Sequence, residues 1–211
     1  FSGGEKAVGD GQLVSSGASQ LNNLDDYYSD MGKASESEKE EDPMSELEKQ
    51  QKEEQQKSTE RLYSDIVEKT EENRLQDSVQ VSMDNSYQYV MISLSGGILF
   101  DSGSADIRSG ALPIISRVGD ILKSYTNKRI KIEGHTDNVP IGSTSKYSSN
   151  WELSTARATS VLQYLQQKKG LNVKYLEASG RASVDPVADN KTQSGRSKNR
   201  RVEIKIYSNN D

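Results

Sequence analysis

Cysteine is absent from the 211 residues, which excludes disulfide and thiolate–metal frameworks while leaving the compartment open. Histidine occurs once, at position 135. A lone histidine with no second histidine or cysteine nearby cannot build a zinc site of the usual type, so no metal is expected. A hydrogen bond at the end of its strand is the expectation for His135. Apolar runs are short, and none approaches the roughly 18 residues needed to span a bilayer. Excess positive charge is also missing. Lys and Arg number 27 against 32 Asp and Glu, for a net charge of −5, and no basic stripe with interleaved aromatics occurs. Nucleic acid is therefore not an expected partner.

The parts of a hydrolytic enzyme are lacking as well. Ser102, Ser104 and Ser154 have one histidine among them, and no G-x-S-x-G elbow occurs. Glu133 and Asp137 lie on the order of 13 Å apart by strand rise alone, wide for a retaining glycosidase pair. A non-enzymatic role without a cofactor is expected.

With 32% hydrophobic and 28% charged residues, the chain is too polar to be packed throughout. Residues 1–42 are rich in Gly, Ser, Asn and Asp and have no sustained period, which predicts a flexible, disordered tether. Residues 43–77 read as a charged linker helix. Pro43 suits its start, and Glu, Lys and Gln dominate as far as Lys57. Its second half, with Leu62, Ile66 and Val67, has a face that can dock on the domain or pair with a second copy. Residues 78–211 carry the globular pattern. Val79, Val81 and Met83 alternate, Asp84-Asn85-Ser86 turns, and Val90, Ile92 and Leu94 alternate again, as in a β-hairpin. A helix follows through Ile114, Ile115, Val118, Ile121 and Leu122, then a strand over 129–135 and a helix over 150–168. A short strand near Tyr175 to Ala178, a polar loop from Arg181 to Asn199 and a last strand through Val202, Ile204 and Ile206 complete it. Strands alternating with helices, all half-buried, predict an α/β fold built as a two-layer sandwich.

The most informative stretch is Arg129 to Leu165. Ile130 and Ile132 point one way and Lys131 and Glu133 the other, the period of a sheet with one face on a core. Gly134 breaks the run, and His135-Thr136-Asp137-Asn138 follows as turn material. Ser149 and Glu152 fit a capping box. Ala158, Val161, Leu162 and Leu165 then form a core-facing stripe. Arg157 sits beside that stripe and leans back toward the loop, while Asp137 leaves the carboxyl end of the strand near the same place. A carboxylate and a guanidinium facing one crevice suit a small zwitterion. The plainer alternatives are an Asx turn for Asp137 and snorkelling for Arg157. Both groups are expected to be exposed, so that replacing either spares the fold. Of the two long loops, Asn138 to Ser148 is expected to form a wall of the crevice, and Arg181 to Asn199 leads to a set of Asn190, Arg196, Asn199 and Arg200 whose basic groups suit sugar or peptide carboxylates.

HTDN, then N-x-x-L-S-x-x-R-A (Asn150, Leu153, Ser154, Arg157, Ala158), resembles the OmpA-like peptidoglycan-binding domain. Leu99 to Ala105, Asn190-Lys191-Thr192, Gly195-Arg196 and Asn199 to Ile204 match in order, so that the resemblance covers roughly residues 88 to 207. Gly180-Arg181-Ala182 departs slightly, standing where many members have Gly-x-Gly. The SNWELS segment, the extended loop before it and FDSGSADI resemble the flagellar-stator, MotB-type branch in particular.

The resemblance implies a mixed sheet with helices on one face and no catalytic activity. It implies that Asp137 and Arg157 hold the diaminopimelate of the peptidoglycan stem peptide and that Asp101 lies at the rim of the same pocket, although Asp101 can also cap the following helix. Thr136, Asn150, Leu153 and Ser154 complete the implied set, with Arg201 as a peptide contact if it does not simply neutralise Glu203. It further implies a homodimer on the extracytoplasmic face, joined to a MotA-type subunit through a membrane segment that precedes this chain. The start at Phe1 rather than Met fits such a fragment. A general envelope tether without a motor role is the alternative.

Overall fold

The computed structural model describes residues 43–142 and 145–209. The tether expected over 1–42 lies outside the described residues. The elements are α1 (Pro43–Glu72), β1 (Val79–Met83), β2 (Tyr89–Ser95), α2 (Gly96–Leu99), α3 (Leu112–Leu122), β3 (Ile130–His135), α4 (Asn150–Lys169), β4 (Leu176–Gly180), α5 (Gln193–Asn199) and β5 (Arg201–Tyr207). Among the described residues no helix is long and apolar enough to cross a membrane.

The strands form one sheet in the order β1-β2-β5-β3-β4. All neighbours are antiparallel except β3 and β4, which run parallel because α4 carries the chain between them. The expected mixed α/β sandwich is therefore present. Burial follows the predicted alternation. Val90, Ile92 and Leu94 of β2 lie opposite Ile206, Ile204 and Val202 of β5. Ile130 and Ile132 of β3 face Ile206 and Ile204 from the other side. All of these are buried in one core with Ile115, Val118 and Leu122 of α3 and Ala158, Val161 and Leu165 of α4.

Helix α4 starts where its cap predicts. The Ser149 hydroxyl accepts the Glu152 N–H at 3.2 Å, and Gly170 ends the helix at φ 70°, a conformation that favours glycine. The Glu152 carboxylate reaches back one residue further than a capping box does, taking the Ser148 N–H and hydroxyl at 2.7 Å each. The helix lies almost on the backbone of the sheet. A Cβ on Gly134 of β3 would meet the Ser154 carbonyl well inside contact distance, and one on Gly180 of β4 would meet Thr155 and the Ser154 hydroxyl.

The second half of α1 docks on the globular part, one of the two roles its apolar face allowed, so that the compact unit runs from Gln50. Leu62, Ile66 and Leu75 join the core. The buried Thr59 hydroxyl lies 2.5 Å from the Tyr87 carbonyl and 2.8 Å from the Ser208 hydroxyl, and Tyr125 donates to Asp65 at 2.6 Å. The loop expected from Arg181 to Asn199 contains helix α5. Polar residues build it, so no apolar period announces it. Thr192 caps it by accepting from Gly195 N–H, and the buried Asn199 amide takes the Val187 and Ala188 N–H groups.

The face of the sheet away from α3 and α4 carries charge. Lys131 faces Lys205, Glu133 faces Glu203 and His135 faces Arg201 across β3 and β5. Like opposite like is repulsive by itself, and neighbouring pairs resolve it. Lys205 binds Glu133 and lies 3.4 Å from Glu203, Lys131 lies 2.8 Å from Glu133, and Arg201 lies 2.7 Å from Glu203. The strand-end hydrogen bond expected of His135 is not formed. Both ring nitrogens lack a hydrogen-bond partner among the described residues, and Nε2 stands 3.5 Å from Glu203 Oε2. Burial pushes the Glu203 carboxyl up, but His135 and Arg201 outweigh it and hold it at about 2, below its ordinary value of 4.5.

Gly134→Ala should destabilise the fold by about 3 kcal/mol, since backbone on both sides resists the added methyl; chemical denaturation checks it. A carboxyl depressed on folding contributes stability that is present above its unfolded value and lost as pH falls through its folded one. The melting temperature should therefore fall between about pH 4.5 and pH 2, and Glu203→Gln should flatten that part of the profile.

Candidate functional site

Beyond the carboxyl end of β3 opens a cleft of about 880 Å³. The segment after β2 and the loop after β3 form two of its walls, with the first turns of α4 and part of α5 completing it. Of the residues expected there, Asp101, Thr136, Asp137, Asn150, Leu153 and Arg157 all line it.

Asp137 is placed by its neighbours. The Thr136 N–H donates to the Ala182 carbonyl at 2.8 Å, tying the end of β3 to the chain after β4. Ala182 has φ +47°, a conformation that glycine adopts without strain. The Asp137 Oδ1 accepts the Val139 N–H at 3.1 Å, so the Asx turn is real. Its Oδ2 accepts from Arg200 Nη1 at 2.6 Å. Asn150 supports the same loop by donating to the Val139 carbonyl at 2.9 Å.

Arg157 reaches the cleft from α4, as its lean toward the helix start requires. Its Nε donates to the Ser104 carbonyl at 2.8 Å and its Nη2 to the Asp101 carbonyl at 3.2 Å. The guanidinium carbon stands 5.1 Å over the Phe100 ring. Five N–H groups minus these two leave three for a ligand. Burial lowers the pKa of Arg157, and nearby Arg200 lowers it further, while Asp137 opposes both. The expectation that Asp137 and Arg157 are exposed is overturned: they are 8% and 5% exposed. Each is held by the loops it organises, so their replacement acts on the site's shape as well as its charge.

Two expected residues are not brought into the cleft. Ser154 is wholly buried and accepts the Ala182 N–H at 3.1 Å, so it positions the loop after β4 rather than meeting a ligand. Arg201 lies on the charged sheet face, spent on Glu203 and the Asp185 carbonyl, because the residue after an inward Arg200 must point to the opposite side of the chain. Conversely, Arg108 and Lys146 line the cleft although no sequence pattern singled them out. On the far face, donor atoms of Glu133, His135 and Glu203 lie within 4.8 Å of one another. Lys131, Lys205 and Arg201 already engage both carboxylates, which disfavours a cation there.

Known proteins match this arrangement. Residues 99–200, which contain every cleft residue named above, match the OmpA family. Residues 99–200 form an OmpA-family domain. It is 36% identical over 155 residues to motility protein B of Bacillus subtilis, covering 74% of this chain and 58% of that protein. It is 37% identical over 120 residues to the peptidoglycan-binding protein ArfA of Mycobacterium tuberculosis, covering 56% of this chain and 35% of that one. The chain thus spans well under two thirds of either curated relative. Among solved structures, the cell wall anchor of the T6SS from Pseudomonas aeruginosa is 32% identical, with a TM-score of 0.61, covering 68% of this chain and 97% of that one.

Arg157→Ala should free the Asp101–Ser104 segment, raising its amide hydrogen exchange and costing about 2 kcal/mol of stability through the lost carbonyl bonds. Unchanged exchange in that segment would mean the loop is held by something else.

Proposed function

We propose that this chain is a non-catalytic peptidoglycan anchor whose cleft clamps the zwitterionic end of a diaminopimelate stem peptide. One observation carries the reading: Asp137 and Arg157 converge on a single cleft, each with hydrogen-bonding capacity to spare. The ammonium of the ligand meets Asp137, whose carboxylate has about four lone-pair sites and uses two. The ligand carboxylate takes the donors that Arg157 does not spend on Asp101 and Ser104. Thr136, Asn150 and Leu153 shape the seat, and Asp101 closes its rim. Low solvent access strengthens both charge-assisted contacts. The similarity to a peptidoglycan-binding protein and to a cell wall anchor supports the same reading.

The finer reading is a flagellar stator anchor, supported by the similarity to motility protein B. In that role the domain works as a homodimer on the extracytoplasmic side and holds a MotA-type subunit against the wall through a membrane segment outside this chain. A turning rotor needs a fixed reaction point, and a wall-bound domain supplies one. The second reading, an envelope tether without a motor role, is favoured by the similarity to the T6SS anchor. Deleting the gene separates them: loss of swimming with intact flagella supports the stator, and normal swimming supports the tether.

Co-sedimentation with purified sacculi tests the shared part. The wild-type chain should pellet, and Asp137→Asn, which keeps the shape and removes the charge, should lose at least about tenfold in affinity. Binding should weaken only modestly as salt rises, since Asp137 and Arg157 are buried and such charges are screened less than exposed ones. Equal pelleting of Asp137→Asn would mean the cleft is misassigned, and release of soluble wall fragments would mean the protein is a hydrolase.

A further inference from the structure

The cleft holds more positive charge than a zwitterion needs. Arg108, Lys146, Arg157, Arg196 and Arg200 line it against the carboxylates of Asp101 and Asp137, in a chain whose net charge is −5. Both carboxylates are already answered from within, Asp101 by Arg108 at 3.6 Å and Asp137 by Arg200 at 2.6 Å. Arg157 serves the carboxylate of the zwitterion. Lys146 and Arg196 are then left over, and of these two only Arg196 has its side chain fixed by hydrogen bonds among the described residues.

Its fixation resembles that of Arg157. Arg196 Nη1 donates to the carbonyls of Asn190 and Lys191 at 3.0 and 3.2 Å. These carbonyls orient the guanidinium without neutralising it, and among the described residues no carboxylate pairs with it. The Nε–Nη2 edge, the one that grips a carboxylate with two parallel N–H bonds, makes no hydrogen bond among the described residues. The half-buried side chain is already ordered before any ligand arrives, so little entropy is lost on gripping one.

Resting on the stem-peptide reading above, we propose that Arg196 is a second anion subsite of the cleft, so that the preferred wall peptide carries a further free carboxylate, and that amidating this carboxylate weakens binding. The distinction is a sharp one chemically. A carboxamide has nearly the shape of a carboxylate, but it offers one acceptor oxygen instead of two and no charge. The site therefore reads the amidation state of the wall as well as its presence.

Titration calorimetry at low ionic strength, with the whole chain, tests it. The probes are the tripeptide L-Ala-γ-D-Glu-meso-diaminopimelate and the same peptide with either of its carboxylates outside the zwitterionic end converted to the amide. Wild type should bind one of the amides roughly tenfold more weakly than the acid, as expected for a charged hydrogen-bonded pair. Arg196→Gln should bind acid and amide alike, and Arg196→Lys should keep part of the preference through charge alone. The proposal is overturned if wild type binds the acid and both amides equally, or if Arg196→Gln, folded by circular dichroism, keeps the wild-type preference. If wild type binds none of the peptides, the stem-peptide reading itself falls and the second subsite with it.

Discussion

The seating of α4 against β3 and β4 is the constraint on which the rest depends. Gly134 and Gly180 leave no side chain between helix and sheet, so the helix backbone at Ser154 and Thr155 comes down onto the strands. That approach sets the height of the helix over the sheet. It allows the Ser154 hydroxyl to take the Ala182 N–H and so to hold the turn that, in its own turn, receives Thr136. One turn further along, Arg157 is carried to where it can reach the carbonyls of Asp101 and Ser104. Three chain segments distant in sequence thus meet at one crevice because two residues lack a Cβ.

Buried charge is handled in two opposite ways on this scaffold. On the open face of the sheet, Glu133 and Glu203 are surrounded by Lys131, Lys205 and Arg201, and the cluster is saturated from within. Such a cluster has little left to offer a ligand. In the cleft, the guanidiniums of Arg157 and Arg196 are oriented by neutral carbonyls, which fix position and leave charge unspent. The difference between saturated and unsaturated charge separates a structural network from a binding site, although both are rich in the same residue types.

Helix α1 shows how a polar element becomes part of a core. Residues 46–54 are exposed, but from Thr59 onward the helix contributes Leu62 and Ile66 and a set of hydrogen bonds to Tyr87 and Ser208. The interaction is mixed, with a few apolar contacts given register by buried hydroxyls. Such a contact gives the chain a defined point of entry into the domain.

Much of this was legible in order along the chain. Alternation in β2, β3 and β5, the Ser149 cap and the apolar stripe of α4 each depend on neighbours a few residues away, so composition and spacing determine them. The α/β sandwich and the placement of Asp137 and Arg157 at one crevice follow from those local rules plus the crossover between parallel strands. Helix α5 was not legible, since its residues are polar and its stability comes from Thr192 and Asn199 bonding to the surrounding loop. Nor could the sequence separate Arg200, which faces the cleft, from Arg201, which is buried beside Glu203. Only the tertiary structure decided which charges are cancelled and which stay open, because cancellation depends on partners brought together across the sheet, whereas the period of a strand or helix depends on the chain alone.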